Sequence, residues 1–192
     1  MCIRDRALAE KIQEDVFNKM MKVMAESGRE FKGVLYAGLM VQKNEKENWS
    51  ISVIEFNTRF GDPEAQALLP LINEDLIPWF LQSAKGEFKK NNLQRKKESA
   101  VHLVLAADGY PGIGEKKIRK GDPVTFGNFN EMDEILYFAG VKKEKGQLLT
   151  NGGRVAGITC LDKNRMLARV KAYQKLKDIN FLHAQMRDDI GL

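Results

Sequence analysis

Hydrophobic residues near the start of the chain recur at every fourth position. They are Leu8, Ile12, Val16, Met20 and Met24. Residues with this spacing lie on one side of an α-helix, so the pattern predicts an amphipathic helix whose stripe packs into a core. We expect this helix to end near residues 27–28, because the Ser-Gly sequence there is typical of a helix end.

Two apolar stretches with the length of strands follow this helix. Residues 33–41 are almost unbroken in their hydrophobicity, and residues 49–57 begin with apolar side chains on both faces. A charged segment at residues 44–48 separates them, so we predict a turn and an antiparallel hairpin. Because both faces of the second strand begin apolar, we expect that strand to be covered on both sides.

The rest of the chain combines helices with short strands. We predict helices at residues 65–71 and 76–88, a buried strand at 101–107 and a turn at 108–112. Further strands are predicted at residues 116–119, 134–141, 147–150 and 154–161. A last helix follows, with Asp162 as its N-cap and with Met166, Val170 and Tyr173 on one face. This order of elements indicates an α+β fold.

An acid, an amide and an arginine follow one another closely at the end of the second strand. Glu55 and Asn57 are two residues apart, so their side chains share a face, and Arg59 comes two positions later. We expect this face to be buried, where a carboxylate needs a cation or hydrogen-bond donors. Oxygen ligands beside a guanidinium suit Mg²⁺ with a polyphosphate, but an ordinary ion pair between Glu55 and Arg59 explains the same residues.

The charge balance favours an anionic ligand. The formal charge is +5 and the pI is near 9.1. The densest basic run, at residues 89–97, contains no interleaved aromatic residue, so we interpret it as a solvated linker and expect no nucleic-acid partner.

The sequence also favours a cytoplasmic protein. Two cysteines provide no disulfide framework, and no stretch has the length and hydrophobicity of a membrane span. The first residues are too charged for a secretory signal, so we expect a reducing compartment and no membrane partner.

Common nucleophilic and metal motifs are absent from the sequence. There is no G-x-S-x-G segment, and no Cys/His spacing suits zinc. Residues 109–114 have the glycine spacing of a P-loop, but the Lys-Ser/Thr pair that should follow is missing. His102 lies within an apolar strand, so we predict a hydrogen-bonded core histidine there.

Six short segments occur in a fixed order along the chain. They are residues 33–40, Glu55–Glu64 with Gln66, Gly109–Gly112, Ala139 with Gly140, Thr150–Val155 and Asp189–Gly191. Together they resemble the carboxyl-terminal half of the glycinamide ribonucleotide synthetase (phosphoribosylamine–glycine ligase) family. The resemblance extends from roughly the first predicted helix to the end of the chain.

This resemblance implies an ATP-grasp ligase of purine biosynthesis. The implied α+β fold has the second half of an ATP-grasp domain at residues 1–90, followed by a small sheet-rich carboxyl-terminal domain at residues 98–192. The family joins glycine to 5-phosphoribosylamine. ATP phosphorylates the glycine carboxylate, and the amine then attacks the glycyl phosphate, which releases phosphate and gives glycinamide ribonucleotide beside ADP.

The same resemblance implies roles for individual residues. Glu55 and Asn57 match the ligands of Mg²⁺ or Mn²⁺, and Arg59 matches an arginine that faces the transferring phosphoryl group of ATP. Asp62 is a weaker candidate for holding an amine-bearing substrate. The implied partners are therefore the small molecules ATP, glycine and phosphoribosylamine.

A glycine-rich turn supplies a second candidate phosphate site. Asn151, Gly152, Gly153 and Arg154 could place backbone amides and a guanidinium against a phosphate of ATP. A plain hairpin turn before a strand explains these four residues equally well.

Three hypotheses follow for the chain as a whole. Members of the family are more than twice as long, so we expect a fragment that is inactive without a missing amino-terminal half, which a separate chain could supply. The alternative is a non-catalytic binding module for a nucleotide or an acidic partner, which salt-dependent binding of single-stranded nucleic acid would favour. The third is a reading frame that does not fold alone, which cooperative unfolding would exclude.

Overall fold

The protein combines α-helices with antiparallel strands, which confirms the predicted α+β fold class. The computed structural model describes residues 5–43, 48–88, 93–114 and 116–192. The α-helices in these residues are α1 (Arg6–Ile12), α2 (Lys19–Glu26), α3 (Glu64–Leu68), α4 (Ile77–Lys85) and α5 (Arg165–Leu176). The strands are β1 (Tyr36–Lys43), β2 (Trp49–Asn57), β3 (Ser99–Ala106), β4 (Thr125–Phe126), β5 (Glu134–Phe138), β6 (Val141–Glu144), β7 (Gln147–Thr150), β8 (Arg154–Asp162) and β9 (Ile179–Asn180).

The chain divides into two compact units. The first contains Met1–Gly61 and Glu74–Asn92, and the second contains Asp62–Asn73 and Leu93–Leu192. The segment with α3 therefore belongs to the second unit, whereas α4 belongs to the first. The domain division predicted at residues 90–98 stays a prediction. The first four residues of the predicted basic linker, 89–92, lie outside the described residues.

The helix at the start of the first unit follows the predicted stripe. The buried members of the stripe are Leu8, Ile12 and Val16. A π-helical segment, Gln13–Asn18, continues α1 into α2. The side chain of Asp5 caps the helix by accepting a hydrogen bond from the Leu8 N–H at 3.0 Å. The helix ends at the predicted place, where Gly28 adopts the left-handed conformation with φ 72°.

β1 and β2 form the predicted antiparallel hairpin, and β2 has the predicted bounds. Residues 44–47 of the predicted turn lie outside the described residues. The expectation that β2 is covered on both sides is wrong, because Val53, Ile54 and Glu55 are exposed. Alternation along a strand determines which side chains share a face, but a face is buried only where another element packs against it. In the described part of the chain, this hairpin is a two-stranded sheet.

The core of the second unit lies between one sheet and one helix. The sheet has the antiparallel strand order β3-β8-β5, and α5 packs against β3 and β8. The buried residues of the helix are Ala168, Ala172 and Leu176. The sheet residues in the same core include Val101, Leu103, Leu105, Ile158 and Cys160. Small alanines on the helix allow it to approach the sheet closely.

α5 buries Ala168, Ala172 and Leu176, whereas Met166 and Val170, two of the residues predicted to share one face, are exposed. Two local predictions for the second unit are wrong. The N-cap is Asn164 and not Asp162, because Asn164 Oδ1 accepts from the Leu167 N–H at 3.0 Å. Residues 116–119 form no strand.

The predicted strand at residues 134–141 is interrupted. It divides at Gly140 into β5 and β6, which belong to different sheets. The short strands β4 and β9, which pair with each other, were not predicted. The interruption at Gly140 and the β4–β9 pair both depend on pairing between distant segments, which a local sequence pattern does not predict.

The remaining predicted helices are confirmed with adjusted ends. α3 continues into a 3-10 turn at Leu69–Leu71. α4 ends earlier than predicted, at Gly86, which adopts the left-handed conformation with φ 72°. Within the described residues, no helix combines the length and hydrophobicity needed to cross a membrane.

Candidate functional site

Glu55 and Asn57 lie side by side near the end of β2. Asn57 Nδ2 donates a hydrogen bond to Glu55 Oε1 at 2.9 Å. Gly38 on β1 lies opposite Glu55, and a Cβ atom at Gly38 would lie only 3.1 Å from Glu55 Cγ. The glycine therefore leaves room for the Glu55 side chain, and the two polar groups form one exposed pair.

A bulge in the hairpin comes directly before this pair. Gly38 pairs with Glu55, whereas the next residue, Leu39, pairs with Val53, so Ile54 is one extra residue on β2. Its side chain is 66% exposed. A bulge bends its strand and changes the direction of nearby side chains. The exposure of Glu55, which the sequence analysis expected to be buried, accompanies this irregularity.

The pair fits a metal ion that takes few protein ligands. Mg²⁺ prefers oxygen ligands, and one or two carboxylates often suffice when substrate phosphates and waters complete its shell. Rotating the Asn57 amide by half a turn presents its oxygen beside the Glu55 carboxylate. In the part of the chain that the structure describes, no group of three or more His, Cys, Asp or Glu residues could hold a metal. This donor set therefore suits a metal–nucleotide and not a closed structural metal site.

Arg59 makes a local contact instead of the ion pair that the sequence left open. Its Nη1 donates to the carbonyl oxygen of Phe60 at 2.7 Å, and the residue is exposed. Among the described ion pairs there is none between Glu55 and Arg59. The alternative explanation, an ordinary ion pair between Glu55 and Arg59, is therefore not supported by the geometry.

Asp62 and Arg154 are brought together within the second unit. Arg154 Nη1 donates to the Asp62 carbonyl oxygen at 2.9 Å, and Nη2 donates to Oδ2 at 3.0 Å. The Asp62 carboxylate also accepts from Gln66 Nε2 at 2.8 Å. Two candidate residues that lie 92 positions apart thus share one polar cluster.

The turn before β8 is packed closely, and it is not a hairpin turn. β7 pairs with β6, whereas β8 pairs with β3 and β5, so Asn151–Gly153 connect two different sheets. A Cβ atom at Gly153 would lie 2.3 Å from the Tyr110 ring, and one at Gly152 would lie 2.9 Å from the Cα atom of Gly140. Tight packing thus explains both glycines, and the Asn151 N–H donates to the Gly140 carbonyl at 2.7 Å.

His102 belongs to a partly buried hydrogen-bond relay, and the sequence predicts its hydrogen bonding. Thr159 Oγ1 donates to the Gln66 carbonyl at 2.8 Å and lies 2.8 Å from His102 Nδ1. Because the single hydroxyl proton is used, Nδ1 must carry the hydrogen of a neutral ring. Burial lowers the pKa of His102 to about 4, against the opposing effect of the Asp62 carboxylate. The ring is therefore neutral near pH 7.

A cavity of about 410 Å³ lies next to these groups within the second unit. Its polar lining residues are His102, Tyr110, Arg154, Gln185 and Arg187. Its apolar lining residues are Pro63, Leu103, Val104, Ala106, Met186 and Ile190. No local pattern in the sequence distinguishes Gln185 or Arg187. The family resemblance at residues 189–191 lies close to Arg187 in the sequence. It includes Asp189, which forms an ion pair with Arg187.

Two domain models of one protein family match the chain. Residues 2–65 match the phosphoribosylglycinamide synthetase ATP-grasp (A) domain, and residues 100–192 match the phosphoribosylglycinamide synthetase C domain. The chain belongs to the phosphoribosylglycinamide synthetase family. The family resemblance found in the short sequence segments is therefore confirmed.

Curated relatives of the chain share one description, phosphoribosylamine–glycine ligase. The phosphoribosylamine–glycine ligase of Synechocystis is 36% identical over 96% of this chain and 43% of its own length. The chloroplastic phosphoribosylamine–glycine ligase of Arabidopsis thaliana is 36% identical over 97% of this chain and 34% of its own length. The chain thus spans less than half the length of the curated relatives it matches.

Solved structures of similar proteins confirm the ATP-grasp fold. The crystal structure of phosphoribosylamine–glycine ligase from Thermotoga maritima matches with a TM-score of 0.76 and 31% identity, over 93% of this chain and 42% of the other. The biotin carboxylase domain of Hydrogenobacter thermophilus 2-oxoglutarate carboxylase matches with a TM-score of 0.55 over 91% of this chain and 37% of the other. At 15% identity, the second likeness shows the fold alone.

Proposed function

We propose that the chain is part of an ATP-dependent ligase that joins glycine to 5-phosphoribosylamine. The observation that carries this proposal is the exposed Glu55–Asn57 pair, with 2.9 Å between Oε1 and Nδ2. The pair lies in the segment that matches the ATP-grasp domain of the family. The names of the relatives support the choice of substrates.

In this proposal, the residues at the end of β2 and beyond act on the phosphates of ATP. Glu55 and Asn57 hold Mg²⁺ or Mn²⁺, and Arg59 faces the transferring phosphoryl group. Asp62 holds the amine-bearing substrate. Asn151, Gly152, Gly153 and Arg154 belong to the phosphate-facing residues. For the two glycines, the proposal is weakened by the packing contacts that already explain them.

The residue types suit the reaction. Phosphoryl transfer depends mainly on positioning and on stabilisation of charge, so it needs no nucleophilic side chain. A bound divalent ion supplies charge neutralisation at the phosphate oxygens. Arg59 is exposed at the end of β2, and its guanidinium can reorient towards a polyphosphate at the cost of one hydrogen bond to Phe60. The glycine carboxylate takes the phosphoryl group from ATP, and the phosphoribosylamine nitrogen then attacks the carboxyl carbon, which forms the amide and releases phosphate.

The proposal also covers the chain's place in a larger enzyme. We expect no turnover from the chain alone, since it spans only 43% of the Synechocystis relative. Residues 1–90 would contribute to the ATP-grasp domain and residues 98–192 would form the carboxyl-terminal domain. The activity would belong to purine biosynthesis in the cytoplasm.

Metal binding tests the proposal directly on this chain. Mn²⁺ is titrated in the presence of ATP, and bound ion is followed by the enhanced relaxation of water protons. Glu55→Gln should weaken ternary binding by about tenfold or more, because a charged ligand is lost. Glu30→Gln is the matched control, since Glu30 is an exposed acid in the same unit. Equal binding by the Glu55 variant and its control would overturn the metal assignment.

A further inference from the structure

Strand β5 has one edge that no other strand covers. In the part of the chain that the structure describes, β5 pairs with β8 alone, so it forms the end of the sheet β3-β8-β5. A free strand edge presents N–H and C=O groups that can pair with another extended chain. A second cavity of the second unit, of about 580 Å³, lies along this strand.

Hydrogen bonds just beyond the two ends of β5 determine which of its backbone groups face β8. The Ala139 N–H donates to the Val155 carbonyl at 3.0 Å, and the Leu161 N–H donates to the Asp133 carbonyl at 2.9 Å. In the register of this antiparallel pair, bonded positions alternate with non-bonded positions. The odd-numbered residues of β5 therefore bond to β8, and the even-numbered residues direct their backbone groups to the free edge.

The residues with backbone groups at the free edge are Glu134, Leu136 and Phe138. The Glu134 N–H donates to the Asn130 carbonyl at 2.7 Å, which agrees with its outward direction. Among the backbone hydrogen bonds of the described residues, none uses the N–H or C=O groups of Leu136 and Phe138 on this side. A row of such groups matches the backbone of an extended peptide, which can add a strand to the sheet.

The lining of the cavity indicates which side chains such a peptide should carry. The ring of Phe138 is 60% exposed, and Phe129 provides a second aromatic surface. Among the described lining residues there are two acids, Glu131 and Glu134, and no basic residue. Glu134 forms an ion pair with Lys175 at 3.1 Å, whereas Glu131 is exposed and has no ion pair among the described residues. An unbalanced acid beside aromatic rings favours lysine or arginine.

We propose that the edge of β5 is a docking site for an extended basic segment of a partner protein, which adds a strand to the sheet. The backbone groups of Leu136 and Phe138 bind the main chain of the segment, and Glu131 attracts its basic side chains. A second copy of this chain fits less well, because pairing β5 with itself brings two acid-lined cavities together. The inference does not depend on the proposed function.

Amide hydrogen exchange of the chain, followed by NMR, tests the edge itself. The probe is a blocked peptide of alternating lysine and valine, because valine favours an extended backbone. Without the peptide, the Leu136 and Phe138 amides should exchange faster than the Ile135 and Tyr137 amides, which bond to β8. Peptide at about ten times its dissociation constant should slow exchange at Leu136 and Phe138 by about tenfold.

Calorimetric titration with the same peptide tests the hydrogen bonds at the edge. Phe138→Pro removes an outward N–H and leaves the bonds to β8 in place, as proline does on edge strands. Phe138→Ala is the matched control, since it loses the same ring but keeps the N–H. The proline variant should bind the peptide about tenfold more weakly than the alanine variant.

The charge of the cavity is tested in the same titration. Glu131→Gln should weaken binding by about threefold at low ionic strength, and the difference should shrink as salt is added. Glu98→Gln is the control, because Glu98 is an exposed acid of the same unit that does not line the cavity. It should bind the peptide as the parent chain does.

Each outcome decides the inference. Slower exchange at the outward amides, with weaker binding by Phe138→Pro and Glu131→Gln than by their controls, supports it. Slow exchange at Leu136 and Phe138 in the free chain, undetectable binding at millimolar peptide, or equal binding by variants and controls overturns it.

Other occupants of the edge give results of their own. Displacement of the peptide by the amino-terminal part of the Synechocystis relative would assign the edge to the other half of the enzyme. A dimer in sedimentation that Phe138→Pro abolishes and Phe138→Ala keeps would assign it to a second copy of the chain. Either result overturns the inference.

Discussion

Arg154 donates from both of its terminal nitrogens to one residue, Asp62, which lies 92 positions earlier in the chain. The side chains are 36% and 52% exposed, so water screens their attraction. We therefore expect the pair to position the two residues more than it stabilises the fold. A double-mutant cycle with Asp62→Ala and Arg154→Ala should give a coupling energy below about 1 kcal/mol in urea unfolding.

The Lys142–Glu144 pair provides a control for this measurement. Its side chains are 44% and 51% exposed, which matches the exposure of the first pair. The two cycles should give coupling energies of similar size. A coupling several times larger for Asp62 and Arg154 would show that the fold depends on their contact.

Thr159 is the buried centre of the relay between His102 and Gln66. It is 0% exposed, and its hydroxyl hydrogen-bonds to both His102 and the Gln66 carbonyl. Thr159→Val keeps the shape but removes the hydroxyl from two partly buried polar groups, so it should lower the free energy of unfolding by about 1–3 kcal/mol. Thr159→Ser keeps the hydroxyl and should lose less. Thr125→Val, at an exposed strand position, is the control and should change stability little.

Local patterns predicted the elements far better than the contacts between them. The bounds of β2 and the stripe Leu8–Val16 follow from periodicity, because each is determined by neighbouring residues. The bond between His102 and Thr159 joins residues 57 positions apart, and no local period contains it. The sequence pattern did not identify the buried face of α5, and the reason is related: apolar residues lie on several sides of this helix, and those that pack into the core are Ala168, Ala172 and Leu176.

The candidate site shows the same limit. Alternation along β2 predicted that Glu55 and Asn57 share a face, and they are hydrogen-bonded. The bulge at Ile54 depends on the partner strand, so neither it nor the exposure of Glu55 was predicted. Arg187 approaches the cavity through the path of the final segment, which carries no periodic pattern.

His102 should make stability depend on pH in a defined window. Burial lowers its pKa from 6.5 to about 4, whereas the unfolded chain keeps the usual value. Below pH 6.5 the unfolded state therefore binds a proton that the folded state resists, and stability falls as the pH is lowered towards 4. The loss is about 3 kcal/mol over the window.

Comparison of variants isolates this contribution from that of the acidic residues. The free energy of unfolding is measured between pH 7 and 4 for the parent chain, for His102→Gln and for His183→Gln. The other histidine, His183, is exposed, so its variant should keep the pH dependence of the parent. The decline in His102→Gln should be shallower. Parallel curves for the parent chain and His102→Gln would contradict the assignment.

Cys160 should be chemically inert in the folded protein. It is 0% exposed in the core beneath α5. Burial raises the pKa of its thiol to about 12, and Glu134 adds to the effect. Only the thiolate reacts with iodoacetamide, so at pH 8 labelling should occur only through opening of the core.

The measurement uses a Cys2→Ser variant, in which Cys160 is the sole cysteine. Its labelling rate should rise steeply near the midpoint of urea unfolding. The additional substitution Ala168→Gly, which removes a buried methyl group and weakens the helix, should speed labelling under native conditions. Rapid labelling of the fully folded Cys2→Ser variant would show that the thiol is accessible.

The proposed roles of Glu55 and Arg59 predict a loss of turnover in a complete ligase. The test uses a chimera in which this chain replaces the matching part of the Synechocystis relative. Glu55→Ala or Arg59→Ala should lower its turnover by roughly 10²–10³, as expected when one preorganised electrostatic group is removed.

The kinetic parameters of the chimera also test the metal role of Glu55. Glu55→Ala should mainly lower kcat, because the charge it helps to neutralise develops in the transition state. Near-normal turnover of Glu55→Ala, in a chimera whose parent is active, would remove the metal role from this residue.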